Sequence, residues 1–359
     1  MALTIKDKKL PHDFYPGAMG AGITLGEFAG AAASENIPGI ISTAGIDRFV
    51  SRELGKKVNT YDAVVYEVTK AKQISNNGPV GVNIMTFLQQ DREVAAQAAV
   101  DAGADFIISG AGLPMYLPEV KNLGDTALIP IVSSLKALEL ICSKWEKWHH
   151  YRPDAVVVAG PKCGGHNGHK ISEIDSPEHQ LEVIFPPIKD FAQKHGDFPV
   201  IVAGGIFDRK DIQRFINLGA DGVQMGTRFL GTNENKASAK FKQVLVDCRE
   251  DDIIMVEQSP CQFPLRILKQ SPRYQSFLKG SAPPVCDKKY LLQKDKDGNS
   301  TICLAKNMPE KYFCLCAGLL GAAEYSDEEE VFIVGSNAHR IKQIVSIKEL
   351  IDELKGITL

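Results

Sequence analysis

The sequence predicts an α/β protein: a (β/α)8 TIM barrel with a C-terminal α+β annex. Three observations lead there. Short β-branched runs alternate with amphipathic helical stretches from Phe14 to Met225. Each run is apolar nearly throughout, the pattern of strands covered on both faces in a parallel sheet. The phrases Asp101-Ala102-Gly103-Ala104-Asp105 and Asn217-Leu218-Gly219-Ala220-Asp221 are near copies. Both read as helix end, glycine reversal and strand start, so the chain repeats a β/α unit.

The first strand is placed at Phe14 to Met19, before a helix that begins near Thr24. Seven clearer runs follow: 39–43, 79–84, 105–109, 128–133, 154–159, 199–203 and 221–225. Helices are expected at Asp91 to Ala102, with Asp91 as N-cap, at Ser134 to Trp148, and at Asp208 to Leu218 before Gly219. Eight parallel units over about 230 residues suit a closed barrel better than the rival doubly wound open sheet. The last barrel helix is expected from Asn233 to Cys248, which divides the chain into a barrel at 1–248 and an annex at 249–359 packed on it. In the annex, Asp251 to Leu268 reads as loop around Pro260 and Pro264. Tyr290 to Cys303 reads as a hairpin with Asp297-Gly298 near its tip. Lys311 to Ala323 reads as helix, Val331 to Val334 as a short strand, and Ile347 to Leu354 as a terminal helix.

Composition removes several function classes. Forty-one basic against 44 acidic residues leave a net charge of -3, which carries no footprint for nucleic acid. Mean hydropathy is -0.10, and no apolar run approaches the roughly 18 residues that would mark a membrane span. The stretch Met1 to Lys6 lacks the apolar core of a secretory leader, so a cytoplasmic location is expected and the eight cysteines read as free thiols. Cys286, Cys303, Cys314 and Cys316 could ligate zinc or an iron–sulfur cluster, but they lack paired Cys-x-x-Cys spacing, and no metal site is assigned.

Active sites of such barrels form at the carboxyl ends of the strands. After the seventh run stands Ala203-Gly204-Gly205-Ile206, and after the eighth Gln224-Met225-Gly226-Thr227-Arg228. Glycines there admit a phosphate close to backbone N–H groups, at the two loops this fold uses for phosphate. After the sixth run, Cys163-Gly164-Gly165-His166-Asn167-Gly168-His169 surrounds a histidine with glycines. His166 is the candidate acid or base; His169 is read as peripheral and Cys163 as packing. Asn83 ends the third run, where its amide either meets a ring edge or caps a loop. Ser133 ends the fifth run.

Together these motifs resemble the nitronate monooxygenase family, once called 2-nitropropane dioxygenases, to which FMN-dependent enoyl-(acyl carrier protein) reductases are related. The matching stretches are Gly81 to Met85, Asp154 to His166 and Val202 to Leu230, and the resemblance spans roughly residues 10 to 270. Many relatives carry an acidic residue and alanine where this chain has Lys162 and Cys163. The resemblance implies a barrel that binds FMN non-covalently. Gly204, Gly205, Gly226 and Thr227 would hold the phosphate, with Ala203, Gln224 and Met225 beside them. Ala18, Met19 and Gly20 would approach the ring, and Asn83, Ser133, Gly164 and Gly165 would complete the cofactor contacts. His166 would be catalytic. The implied reaction is oxidation of alkyl nitronates or nitroalkanes with dioxygen to a carbonyl compound and nitrite. The alternative is an NAD(P)H-dependent flavin reductase of activated double bonds. The substrate is a small molecule in either case. The apolar run Phe313 to Leu320 could serve a homodimer or an intramolecular core.

Overall fold

The computed structural model describes residues 3–88, 91–281 and 303–356. Eight parallel strands form its centre: β1 (Phe14–Pro16), β2 (Gly39–Ser42), β3 (Val80–Met85), β4 (Phe106–Gly110), β5 (Ala127–Val132), β6 (Val156–Ala159), β7 (Val200–Ala203) and β8 (Gly222–Met225). The ladder runs unbroken from β2 through β3 to β8 and on to β1. Across the remaining seam, Ser42 N–H donates to Thr24 O at 2.9 Å. The sheet is thus a nearly closed barrel with helices outside, not the open doubly wound rival. Its strands are buried almost throughout, as their unbroken apolar runs require. Gly39 shows how tightly a helix seats on it: a Cβ there would stand 1.8 Å from Ala29 O on the helix Gly26–Ser34.

The repeated Gly-Ala-Asp phrase now has a physical reason. Asp105, Asp154 and Asp221 stand just before β4, β6 and β8. Their carboxylates accept the N–H groups that begin the neighbouring strands: Val80 at 2.8 Å, Leu128 at 2.8 Å and Val200 at 2.7 Å. Lysines neutralise them. Lys8 lies 2.8 Å from Asp105, which Lys72 also contacts, and Lys189 lies 2.5 Å from Asp221. Lys6 lies 3.8 Å from Asp154. Lys6 and Lys8 sit on an N-terminal hairpin, Leu3–Ile5 with Lys8–Leu10, whose buried Leu3, Ile5 and Leu10 stop the barrel floor.

Two of the expected helix starts carry side-chain caps. Ser134 accepts from Ala137 N–H and Asp208 from Asp211 N–H, opening Leu135–His149 and Arg209–Asn217. Asp91 occupies the N-cap of Arg92–Asp101 but makes no cap bond; its carboxylate accepts from the Thr60 hydroxyl at 3.2 Å. The last barrel helix starts later than expected, at Ala239, because the chain first makes a short helix Thr227–Leu230 and a bridge from Thr232 to Val345.

The annex departs further from expectation. The stretch read as loop holds two antiparallel strands, β9 (Ile253–Val256) and β10 (Leu265–Leu268). The prolines lie in the connection between them and hid two short apolar runs. The expected strand at Val331 to Val334 makes one bridge, Ile333 to Ile267. The expected helix at Lys311 to Ala323 is shorter, Leu315–Ala322, because Phe313 N–H is drawn to Gln258 O. The terminal helix is Ile347–Lys355. The expected hairpin lies, apart from Cys303, outside the described residues. Phe313, Leu315 and Leu320 are buried within the chain, so that run is intramolecular core. One apolar core runs from the barrel helices into Leu268, Phe332, Ile341 and Leu350 of the annex. No helix among the described residues is long and apolar enough to cross a membrane.

Replacing Asp105 with alanine leaves Val80 N–H without its acceptor and two lysines without their anion. The expected loss is about 2–3 kcal/mol, read as a lower urea midpoint. An unchanged midpoint would show that this carboxylate does not hold the barrel floor.

Candidate active site

The carboxyl ends of the strands surround a cavity of about 310 Å³. Ala18, Met19, Gly20, Asn83, Gly164, Gly165, His166, Ala203, Gly204, Gly205, Gln224, Met225, Gly226 and Thr227 all line it. Ser133 does not; its hydroxyl packs against Gly168, where a Cβ would come within 2.6 Å of Oγ. His169 is also away from the cavity, buried with Nε2 3.3 Å from Ala159 O.

The glycine end of the cavity is a cradle. Gly204 and Gly205 have φ of 109° and 73°, which L side chains rarely adopt. At Gly226 a Cβ would meet nothing within 4 Å, so its backbone faces open space. The annex closes this end: Gly335 N–H donates to Thr227 Oγ1 at 2.6 Å, and Ser336 N–H to Lys162 O at 3.3 Å. Ser336 Oγ is buried without a partner among the described residues. Cradle, hydroxyls and the nearby Lys162 chain suit an anionic group such as a phosphate. The amides of Asn83 and Gln224 also stand on the wall, as suits a ligand with a polar edge.

On the same wall stands His166. Its ring meets Phe87 and Phe263 edge-on, with centroids 5.1 and 6.1 Å away. Its Nε2 is buried with no hydrogen-bond partner among the described residues. Burial pushes its pKa down to about 4, so the imidazole is neutral at physiological pH. A neutral imidazole with one nitrogen unsatisfied can donate to, or accept from, a ligand. Cys163 is different: burial pushes its thiol up to about 12, which leaves it an unreactive packing group.

The loop bearing His166 is fixed from the annex. Gly165 and His166 pair antiparallel with Arg266 and Leu265 of β10. Arg266, 7% exposed, donates from Nη2 to Pro161 O at 2.7 Å and from Nε to Cys163 O at 3.3 Å. Burial lowers its pKa, and the carbonyl dipoles offset part of that cost. Sequence reasoning missed Arg266, Phe87, Phe263 and the Gly335-Ser336-Asn337 stretch, which also lines the cavity at residues 335–337. The one signal available was the small-residue run after Val331 to Val334. Among the described residues no group of three His, Cys, Asp or Glu side chains could hold a metal ion, and Cys286 lies outside them.

Barrel, cradle and histidine define an enzyme-type site at the mouth of a (β/α)8 barrel. The chain belongs to the nitronate monooxygenase family, whose pattern it matches over residues 8–356. That is a family of oxidoreductases. A probable nitronate monooxygenase of Staphylococcus aureus (strain JH9) is 35% identical over 109 residues, covering 29% of this chain and 28% of the relative. Two solved structures share the fold. FabK from Thermotoga maritima superposes with a TM-score of 0.70 at 22% identity, over 96% of this chain and 92% of that one. Nitroalkane oxidase from Streptomyces ansochromogenes gives 0.67 at 16% identity, over 97% and 95%.

Replacing Arg266 with methionine keeps an apolar stem and removes both donors. Hydrogen exchange is expected to speed up at Gly164, Gly165 and His166 while β5 and β7 keep their protection. Equal exchange in parent and variant would mean the loop is held by something else.

Proposed function

We propose that the chain is an FMN-dependent nitronate monooxygenase acting on small alkyl nitronates with dioxygen. The observation that carries this reading is the neutral, partnerless Nε2 of His166 in the same cavity as the glycine cradle. Gly204, Gly205, Gly226 and Thr227 would take the phosphate of FMN. Asn83 and Gln224 offer amides to the polar edge of its ring, and Ala18, Met19 and Gly20 give that ring a wall of small or flexible groups. Bound FMN would supply electron transfer and the reaction with dioxygen.

The histidine's low pKa bears on the form of the substrate. A group that holds a proton only below about pH 4 is a weak base for a neutral nitroalkane. As a neutral donor it suits a nitronate that arrives already ionised, one oxygen accepting the Nε2 proton. Phe87 and Phe263 keep the ring oriented and keep water from its edge. The enzyme is therefore expected to favour nitronates over the parent nitroalkanes. With nitronate as substrate its rate should fall only as the pH drops towards 4, where His166 gains its proton and the charge that burial disfavours.

Three measurements test this. In the FMN-loaded protein, anaerobic NADH or NADPH should leave the flavin band unbleached, and nitronate with air should yield nitrite. Rapid bleaching by either nucleotide would overturn the reading in favour of the flavin reductase. His166→Ala should keep its flavin and lose roughly 10²–10³-fold in turnover, the cost of one donor to an anion; turnover at the parent rate would remove His166 from the chemistry.

A further inference from the structure

Part of the cavity wall comes from the annex and not from the barrel. Gly335, Ser336 and Asn337 line the same cavity as Gly204, Gly205, Gly226 and Thr227. Close backbone contacts seat the stretch there. Gly335 N–H donates to Thr227 Oγ1 at 2.6 Å, and Ser336 N–H donates to Lys162 O at 3.3 Å. A Cβ at Gly164 would stand 2.8 Å from Gly335 N and 2.8 Å from Val334 C. A Cβ at Gly335 would come within 2.9 Å of Thr227 Oγ1. Glycine on both sides of the contact thus lets annex backbone and loop backbone meet directly. The side chain that this contact delivers to the cavity is Ser336, whose Oγ is buried with no partner among the described residues.

We propose that Ser336 Oγ donates to the cofactor's phosphate, so that barrel and annex hold that phosphate jointly and the annex selects the phosphorylated flavin over the unphosphorylated one. The inference rests on the FMN reading given above and on neither of the two reactions considered with it. A buried hydroxyl without a partner is unfavourable, and native folds rarely leave one unless a ligand or water completes it. A phosphate is the partner that these surroundings favour, because it brings acceptors only and the neighbouring groups can donate. Thr227 Oγ1 receives the Gly335 N–H on a lone pair, which does not use the hydroxyl's own proton. The contact also links the phosphate to the order of the annex. Just before Gly335, Val334 N–H donates to Arg266 O at 3.1 Å. A phosphate held at Ser336 therefore steadies the same strand, β10, that pins the His166 loop.

The test is a binding measurement that does not depend on turnover. Full-length protein depleted of flavin is titrated with FMN and with riboflavin, followed by the change in flavin fluorescence. The parent should bind FMN more tightly than riboflavin. Ser336→Ala should weaken FMN about ten- to a hundred-fold, the cost of one hydrogen bond to a charged group, and leave riboflavin unchanged. Ser336→Cys, close in size and a weaker donor, should fall between, and it carries the test alone if the alanine variant does not fold. Hydrogen exchange at Gly335 and Ser336 should slow with FMN and much less with riboflavin. An FMN preference that survives intact in a folded variant overturns the proposal and leaves water as the hydroxyl's partner. Equal loss for both flavins also overturns it, and assigns Ser336 to the part of the molecule that the two share. A parent that binds both flavins equally overturns it before any variant is made. A parent that binds neither removes the FMN reading itself, and the proposal with it.

Discussion

The site depends on a buried arginine that touches no ligand. The loop from Gly160 to Gly168 must let backbone approach a bound molecule, so it carries glycine at 164, 165 and 168. Such a segment has few side chains with which to fix itself and loses more conformational entropy on ordering than any other. Order therefore has to come from outside. Arg266 supplies it with two hydrogen bonds to the loop's carbonyls while its own backbone pairs with Gly165. A lysine could not reach both carbonyls with one planar fork. The annex thus determines where the histidine stands, although the histidine belongs to the barrel.

The cradle and the histidine make opposite electrostatic demands. At the cradle, glycine backbone and hydroxyls favour negative charge. At His166 the surroundings are two phenyl rings, which favour a neutral imidazole. If both were cationic, the site would bind anions without discriminating between them. A neutral donor at one of them selects by hydrogen-bond geometry and leaves net attraction to the other. Arg228 and Arg340, the guanidinium groups near the cradle, are held by Glu353 and by Asp208 and Asp211. They also stack on Phe207, 4.5 and 4.3 Å from its ring. Their charge is largely spent within the protein.

The barrel was legible because its strands are apolar on both faces and its repeat carries a distinctive aspartate. Asp105 and Asp221 show in the sequence as copies since each does the same job at the barrel floor. That Gly204, Gly205 and Gly226 would line the cavity was legible because they directly follow the seventh and eighth strands. Ser133 was misplaced because a strand-end hydroxyl looks the same whether it faces the mouth or, as here, the neighbouring loop. The annex was least legible. Its strands β9 and β10 are four residues each, too short for periodicity to outweigh two prolines between them. The second partner of β10 is a two-residue stretch about a hundred positions away, and no local pattern records such a pairing. Arg266 is invisible for the same reason: its role lies in a long-range contact, and a lone arginine in sequence reads as surface.

The annex also constrains how this site could change. One end of it, β10, pins the histidine loop; another, Gly335 and Ser336, closes the cradle; and its helix Leu315–Ala322 reaches the cavity wall through Leu319 and Ala322. These parts share one packing arrangement, since Leu265, Ile267, Leu315 and Val331 belong to the same buried cluster. A substitution that moves this helix would press on Val331 and Ile333, and through the Ile333–Ile267 bridge on the strand that carries Arg266. Interiors packed to crystal density transmit such shifts instead of absorbing them. The geometry at His166 and the seating of the annex helix are therefore not independent. Substitutions that alter side-chain volume at the cavity wall, leaving the helix where it is, can change what the cavity admits at the least cost to the histidine.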